Sequence, residues 1–315
     1  MAPSYFDMRK DAVFFVDCKM TSDQHQFVIR RIFRYTKTSL RRGESFLKIG
    51  AHAHHATAVS ASNAEAIVVR GLNLTQQLIG HIGFTEHFWL LLTGVLPTVA
   101  QRHILDAALV AIAEHGLVPS VQAARMTFAA APEALQGAVA AGILGCGSVV
   151  LGSSEAAGQF FAAILARVDQ GMANDEAART VVLDYRRARR AIPGYGHPLH
   201  SAGDPRAERL LDVAAQAGLQ GRHAALARSI EILLPELIGK SLVLNVSGAI
   251  PAVLLDAGYP LGALKGVPIL ARTAGLIGHL LEEQLRPIGF VLSHAAGAAI
   301  EYDGICPPGF LATHE

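Results

Sequence analysis

From about residue 66 onward, helix-period segments follow one another with almost no strand-like sequence between them, and that succession points to an all-α architecture. In PTVAQRHILDAALVAIAEHG (97–116), Thr98 and Gln101 stand at capping-box spacing, and Leu105, Ala108, Leu109 and Ile112 recur on one face before Gly116 stops the run. Similar helices are expected over 119–131, 133–146, 154–170, 174–191, 205–217, 222–238, 247–257 and 265–285, separated by Gly, Pro or Asn. Only AIVVRG (66–71) and SLVLNV (241–246) carry the β-branched content of strands, and both are short. Apolar residues run nearly all round VPILARTAGLIGHLL (267–281), so this helix needs cover from more than one side, which suits a helical homo-oligomer.

Composition narrows the function classes. A chain of 315 residues with 51% hydrophobic and 17% charged residues can bury a large core and is not of the disordered class. The net charge of +1, without a basic stripe bearing interleaved aromatics, leaves no footprint for nucleic acid. The longest weakly polar run, GAVAAGILGCGSVVLG (137–152), is shorter than the ~20 residues a membrane span needs and is diluted by glycine, so it reads as a core helix and a turn. Three dispersed cysteines, Cys18, Cys146 and Cys306, form no framework and point to a reducing compartment, the cytoplasm.

Residues 1–56 differ in texture. FVIRRIFRYTKTSLRRGESF (27–46) is basic and aromatic, and the segment is expected to be a poorly ordered extension; its aspartates argue against a transit peptide. AHAHHA (51–56) has no Cys or carboxylate to complete a metal set and reads as an exposed linker, so no metal is expected.

The chemistry concentrates in PGYGHPLHSAGDPR (193–206). Gly194 and Gly196 allow backbone conformations closed to other residues, and prolines stiffen either side of His197. Asp204 is placed to cap a helix that starts at Pro205, with Arg206 in its first turn, an arrangement that attracts an anion beside His197. An imidazole next to an anionic substrate can exchange a proton with a hydroxyl or carbonyl oxygen; a turn histidine with no chemical role is the competing reading. A dinucleotide loop at GCGSVVLG (145–152) fails, because its third glycine position is Val150 and no strand–helix alternation surrounds it.

GYGHPLHSAGDPRAE closely resembles the G-[FY]-G-H…D-P-R signature of the citrate synthase superfamily, including its citryl-CoA lyase branch. VVRGLNLTQQLIGHIGFTEHFWLLLTGVLPT (68–98) and LARTAGLIGHLLEEQ (270–284) resemble two further family runs, in the same order along residues 66 to 300. The resemblance implies an α-helical homodimer with a large domain, here 57–150 and 262–315, and a small domain, 151–261, carrying the GYGH loop. It implies an acyl-CoA C–C lyase, with a CoA thioester and a polycarboxylate as substrates and no permanently bound cofactor. By the same resemblance, His115 is a substrate-binding histidine and His197 handles the oxo-acid carbonyl or tertiary hydroxyl. Arg206, Arg272 and Arg286 are the carboxylate-binding arginines, Arg286 reaching in from the partner subunit. Three guanidiniums suit a citrate-like anion, each binding one carboxylate as a planar fork.

Two departures qualify the resemblance. Val150 stands where the synthases carry a catalytic histidine, and Ser247, in NVSG, where the family carries its acid/base aspartate. Valine cannot hydrogen-bond, and serine without an activating partner is no base near neutral pH. The surviving residues therefore favour cleavage of citryl-CoA, in which His197 takes the hydroxyl proton and Ser247 or water quenches the acetyl-CoA enolate. Action on another acyl-CoA, and a non-catalytic carboxylate or CoA binder, stay open as alternatives. Pro198 and His200 replace basic residues common in relatives, which leaves the CoA contacts unassigned. Glu133, Gln136, Ser148 and Glu155 are further polar candidates; Glu133 reads as an exposed helix-terminal residue.

Overall fold

The computed structural model describes residues 12–20, 27–36, 56–196 and 203–309; the side chains of the first two segments and of 148–150 are outside that description. The chain divides into two compact units, 1–56 and 57–315. In the first, β1 (Ala12–Met20) pairs antiparallel with β2 (Phe27–Thr36), the register shifting between Asp17 and Cys18. The sequence reading placed no strand here, although FFV and FVIRRIF hold the aromatic and β-branched residues that favour a pleated surface.

The second unit is mostly helical, as expected. It opens with a small antiparallel meander, β3 (Ser60–Ser62), β4 (Ile67–Val69) and β5 (Leu72–Asn73), which confirms the strand read in AIVVRG. A π-helical turn, Leu74–Leu78, follows, and then eleven α-helices among the described residues: α1 (Phe84–Thr93), α2 (Val99–Ala113), α3 (Pro119–Ala130), α4 (Leu135–Val150), α5 (Gly152–Val168), α6 (Asn174–Arg187), α7 (Pro205–Gln216), α8 (Arg222–Ile238), α9 (Val246–Asp256), α10 (Gly266–Leu285) and α11 (Gly289–Ala299). α11 and α1 were not among the periodic segments read from the sequence. α6 stops at Arg187 rather than 191, because Arg189 turns the backbone to φ 53°. The capping box of α2 is present: Thr98 Oγ1 accepts from the Gln101 N–H at 3.2 Å, and Gln101 Oε1 from the Thr98 N–H at 2.8 Å.

SLVLNV is the strand expectation that fails. Its stretch makes one isolated bridge, Leu244 to Tyr195, because the partner segment is a glycine turn too irregular to extend a ladder.

Two of the three packed clusters among the described residues join most of the helices. In the larger, α9 is central: Val246, Gly248, Ala249, Ile250, Pro251, Ala252, Val253 and Leu254 are all buried, so a helix apolar all round is covered all round. α5 lies against it at Gly158, where a Cβ would collide with Leu264 and press on Pro251. The smaller cluster joins α3, α4 and α10 through Val121, Ala124, Phe128, Ala138, Leu276 and Leu280, with Gly142 giving Leu276 its space.

Among the described residues no single helix is long and apolar enough to cross a membrane. The pair Leu135–Gly147 and Gly152–Val168, bent by 44°, passes only jointly on length and composition, and Phe160, Phe161 and Ile164 of its second half are core residues. The bend falls where Gly147 adopts φ 53°, ψ −165°, in the GSVVLGS run.

Candidate functional site

The site is assembled around one buried carboxylate. Asp204, with no solvent exposure, caps α7 through the Arg206 N–H at 3.0 Å and accepts the Val246 N–H at 2.9 Å. Both its oxygens also receive the Arg206 guanidinium, Nε and Nη2 each at 3.0 Å. Burial pushes this carboxyl up, but the Arg206 guanidinium and the Val246 and Arg206 N–H groups outweigh it and hold the group below the usual carboxylate range. The sequence reading gave Asp204 a cap and Arg206 to an incoming anion. The cap is there, and Arg206 is first of all the partner of Asp204, because a fully buried carboxylate must be neutralised locally.

The glycine turn before His197 is locked to the start of α9. The Gly196 N–H donates to Val243 O at 2.7 Å, the Asn245 N–H to Gly194 O at 2.9 Å, and Asn245 Nδ2 to Gly196 O at 2.7 Å. Tyr195 sends its hydroxyl to Ala227 O at 2.8 Å, and Glu231 Oε1 accepts the Leu244 N–H at 2.8 Å. Gly194 is required twice over: its φ is +86°, and a Cβ there would lie 2.8 Å from Gly248 Cα. The GYG turn, the DPR helix start and the NVS helix start are thus one framework.

Onto this framework the fold brings several of the sequence-predicted residues. Arg206 Nη1 lies 3.4 Å from Nδ1 of His115, which sits in the loop after α2. Ser247, in the first turn of α9, accepts a hydrogen bond from Ser153 of α5 at 3.0 Å. Arg272, on α10, is buried at 8% exposure, and its Nη1 has no hydrogen-bond partner among the described residues. Arg286 caps the far end of α10, fourteen residues beyond Arg272, about 21 Å along the axis. There it lines a groove of about 710 Å³ with Glu114, His279, Leu281, Glu282 and Leu285. Glu133 and Gln136 are exposed near the start of α4, and Glu155 is half-buried in the first turn of α5. His197, Pro198, His200 and the side chains of Ser148 and Val150 lie outside the described residues, as do the histidines of AHAHHA. Among the described residues no group of three or more His, Cys, Asp or Glu side chains is placed to hold a metal ion.

Sequence reasoning missed three contributors. Asn245 and Glu231 act through backbone groups distant in sequence, and Glu114 was passed over for its neighbour His115. For Asn245 a signal existed: an Asn directly before a helix start is a cap, and its side chain does accept the Gly248 N–H.

The family of the citrate synthase C-terminal domain matches residues 100–288, which hold α3 through α10 and every site residue just placed. The chain belongs to the citrate synthase superfamily. Among solved members, citryl-CoA lyase from Hydrogenobacter thermophilus is 32% identical over 82% of this chain and 97% of that one, with a TM-score of 0.71. ATP citrate lyase from Methanothrix soehngenii, solved with citrate and coenzyme A, is 22% identical over 92% of this chain, which spans 47% of its length, with a TM-score of 0.66. Citrate synthase from Thermotoga maritima is 18% identical over 73% of this chain and 60% of that one, at a TM-score of 0.55. The last two share the superfamily fold. No curated protein matches the chain.

Proposed function

We propose that this protein is a citryl-CoA lyase-like enzyme, cleaving citryl-CoA to acetyl-CoA and oxaloacetate. The supporting observation is Arg272, a buried guanidinium whose Nη1 has no hydrogen-bond partner among the described residues, on the helix that packs against α2, the element just before His115. A buried cation with an open donor is costly unless an anion completes it, and a substrate carboxylate does so.

In the reaction, His197 takes the tertiary hydroxyl proton, the oxygen's electrons form the ketone of oxaloacetate, and the C–C bond breaks toward the thioester. The electron pair is left on an acetyl-CoA enolate, whose methyl carbon takes a proton from water or from Ser247. Ser247 lies 3.0 Å from the Ser153 hydroxyl, and a hydroxyl carries one proton that it can donate. His115 and Arg206 bind the oxo-acid end, and Arg272 a carboxylate. No metal or permanently bound cofactor enters these steps; the CoA thioester is substrate.

Arg286 serves the site of a second copy in this reading, since α10 carries it too far from Arg272 to share one ligand. The exposed apolar residues Leu281, Leu285, Phe290 and Val291 around it are the face that a homodimer covers. The segment 151–261 then acts as the small domain that closes over the substrate.

The test follows oxaloacetate release from citryl-CoA. Wild type is expected to turn over, with His197→Ala near background and Arg272→Met raised in KM. An unchanged His197→Ala overturns the assignment. Ser247 and Val150 in place of the family's acid/base groups favour one second reading, a carboxylate binder without catalysis. Tight citrate binding with no turnover of any acyl-CoA selects it.

A further inference from the structure

We infer that Glu114 is a positioning residue that fixes the distance between His115 and Arg272 by clasping the end of α2 to α10. The inference rests on the reading of the site just proposed.

Glu114 Oε1 accepts the N–H of His115 at 2.7 Å and of Gly116 at 2.5 Å, so its carboxylate sets the course of the loop that carries His115. Its Oε2 lies 2.9 Å from Nε2 of His279 on α10, a close polar contact outside hydrogen-bond alignment to a ring whose two nitrogens are buried with no other partner among the described residues. Burial raises this carboxyl, and His279 with the two N–H groups more than offsets that, holding it below the usual range. With both oxygens held by the chain itself, Glu114 is not the carboxylate that replaces the missing family aspartate. It is the link between two elements that each supply one substrate-binding group.

Arg272, Gly275 and His279 follow at i, i+3 and i+7, one face of α10. Gly275 lets that face meet the end of α2 backbone to backbone: a Cβ there would collide with the Ala113 carbonyl and come within 3.1 Å of Glu114 Oε2. The clasp at His279 therefore sits two turns from Arg272, on the helix side that approaches the His115 loop. Rotating or sliding α10 by a fraction of a turn would break the His279 contact and move Arg272 off the substrate together.

The experiment uses the full chain and two readouts, one of which needs no substrate. Glu114→Ala is expected to raise the KM for citryl-CoA about tenfold or more while kcat changes far less, and Glu114→Gln, which keeps the acceptor for both N–H groups and a polar atom facing His279, restores most of it. His279→Ala should raise KM likewise, and the double variant should be no worse than Glu114→Ala, because one clasp is lost either way. Modification of Arg272 by phenylglyoxal should quicken severalfold in Glu114→Ala and not in Glu114→Gln. Additive KM effects, or Arg272 modification unchanged in Glu114→Ala, overturn the inference. A wild type that neither cleaves citryl-CoA nor binds citrate overturns the proposed function instead, and the phenylglyoxal result still decides the clasp.

Discussion

Two buried ion-pair clusters in this protein look alike in composition and differ in closure. At the end of α10, Arg125 is enclosed: its Nε donates to Glu283 at 2.5 Å, Nη1 to Glu282 at 3.0 Å and Nη2 to Arg286 O at 3.0 Å, while Glu283 also accepts the Ile288 and Gly289 N–H groups. Both side chains are within a few per cent of complete burial. Around Asp204 the carboxylate is as buried, but Arg206 keeps 24% of its side chain exposed and turns Nη1 toward His115. A closed cluster fixes backbone, here the turn between α10 and α11. A cluster with its cation at the rim also fixes backbone and keeps part of that cation exposed beside His115.

The largest effect should come from opening the closed cluster. Arg125→Ala strands a buried carboxylate and is expected to lower unfolding free energy by about 3–5 kcal/mol in denaturant titration. Arg206→Ala, at the rim, should cost about 1.5–3 kcal/mol and abolish citryl-CoA cleavage. If Arg206→Ala proves the more destabilising of the two, the contrast between open and closed collapses.

Next in size is Gly194→Ala, which tests how far the open cluster depends on backbone contact. Positive φ and the approach to Gly248 should together cost about 2 kcal/mol or more, read as a lower thermal midpoint.

Acid distinguishes the clusters less sharply. The Asp204 and Glu283 carboxyls are both held below their ordinary range: burial raises each, and the facing arginine and backbone N–H groups more than reverse it. A carboxyl depressed in the folded state contributes its full stabilisation above the unfolded pKa and loses it as pH falls through the folded one. Unfolding free energy should therefore hold steady at neutral pH and drop below about pH 4, with a shallower drop in Asp204→Asn and in Glu283→Gln. Equal acid slopes in wild type and both variants would mean that neither pair drives the loss.

The smallest effect lies outside both clusters. Thr98→Ala removes the α2 cap and should cost about 1 kcal/mol by denaturant titration, with catalysis untouched.

Much of this protein was legible in one sequence because its signals are local. The capping box at Thr98, the Asp-Pro start of α7 and the glycine turn at Gly194 are written in neighbouring residues, and each appears where its spacing put it. The strand expected at SLVLNV failed for the converse reason. Strand propensity needs a partner at pairing distance, and what reaches Leu244 is one residue of a turn. Arg206 was read as aimed at an anion because Asp204 had already been given a local task, and nothing local shows that a carboxylate is wholly buried.

By itself the sequence determined the helical character, most of the helix starts, the kinship with citrate synthases and the candidate residues. All of these depend on residues within a turn or two of each other, where covalent spacing limits what can touch. Only the tertiary structure decided that Asp204 joins the starts of α7 and α9 and that Arg272 is buried with an open donor. Burial and long-range pairing arise from how helices pack, and helices made of interchangeable apolar faces do not announce their neighbours.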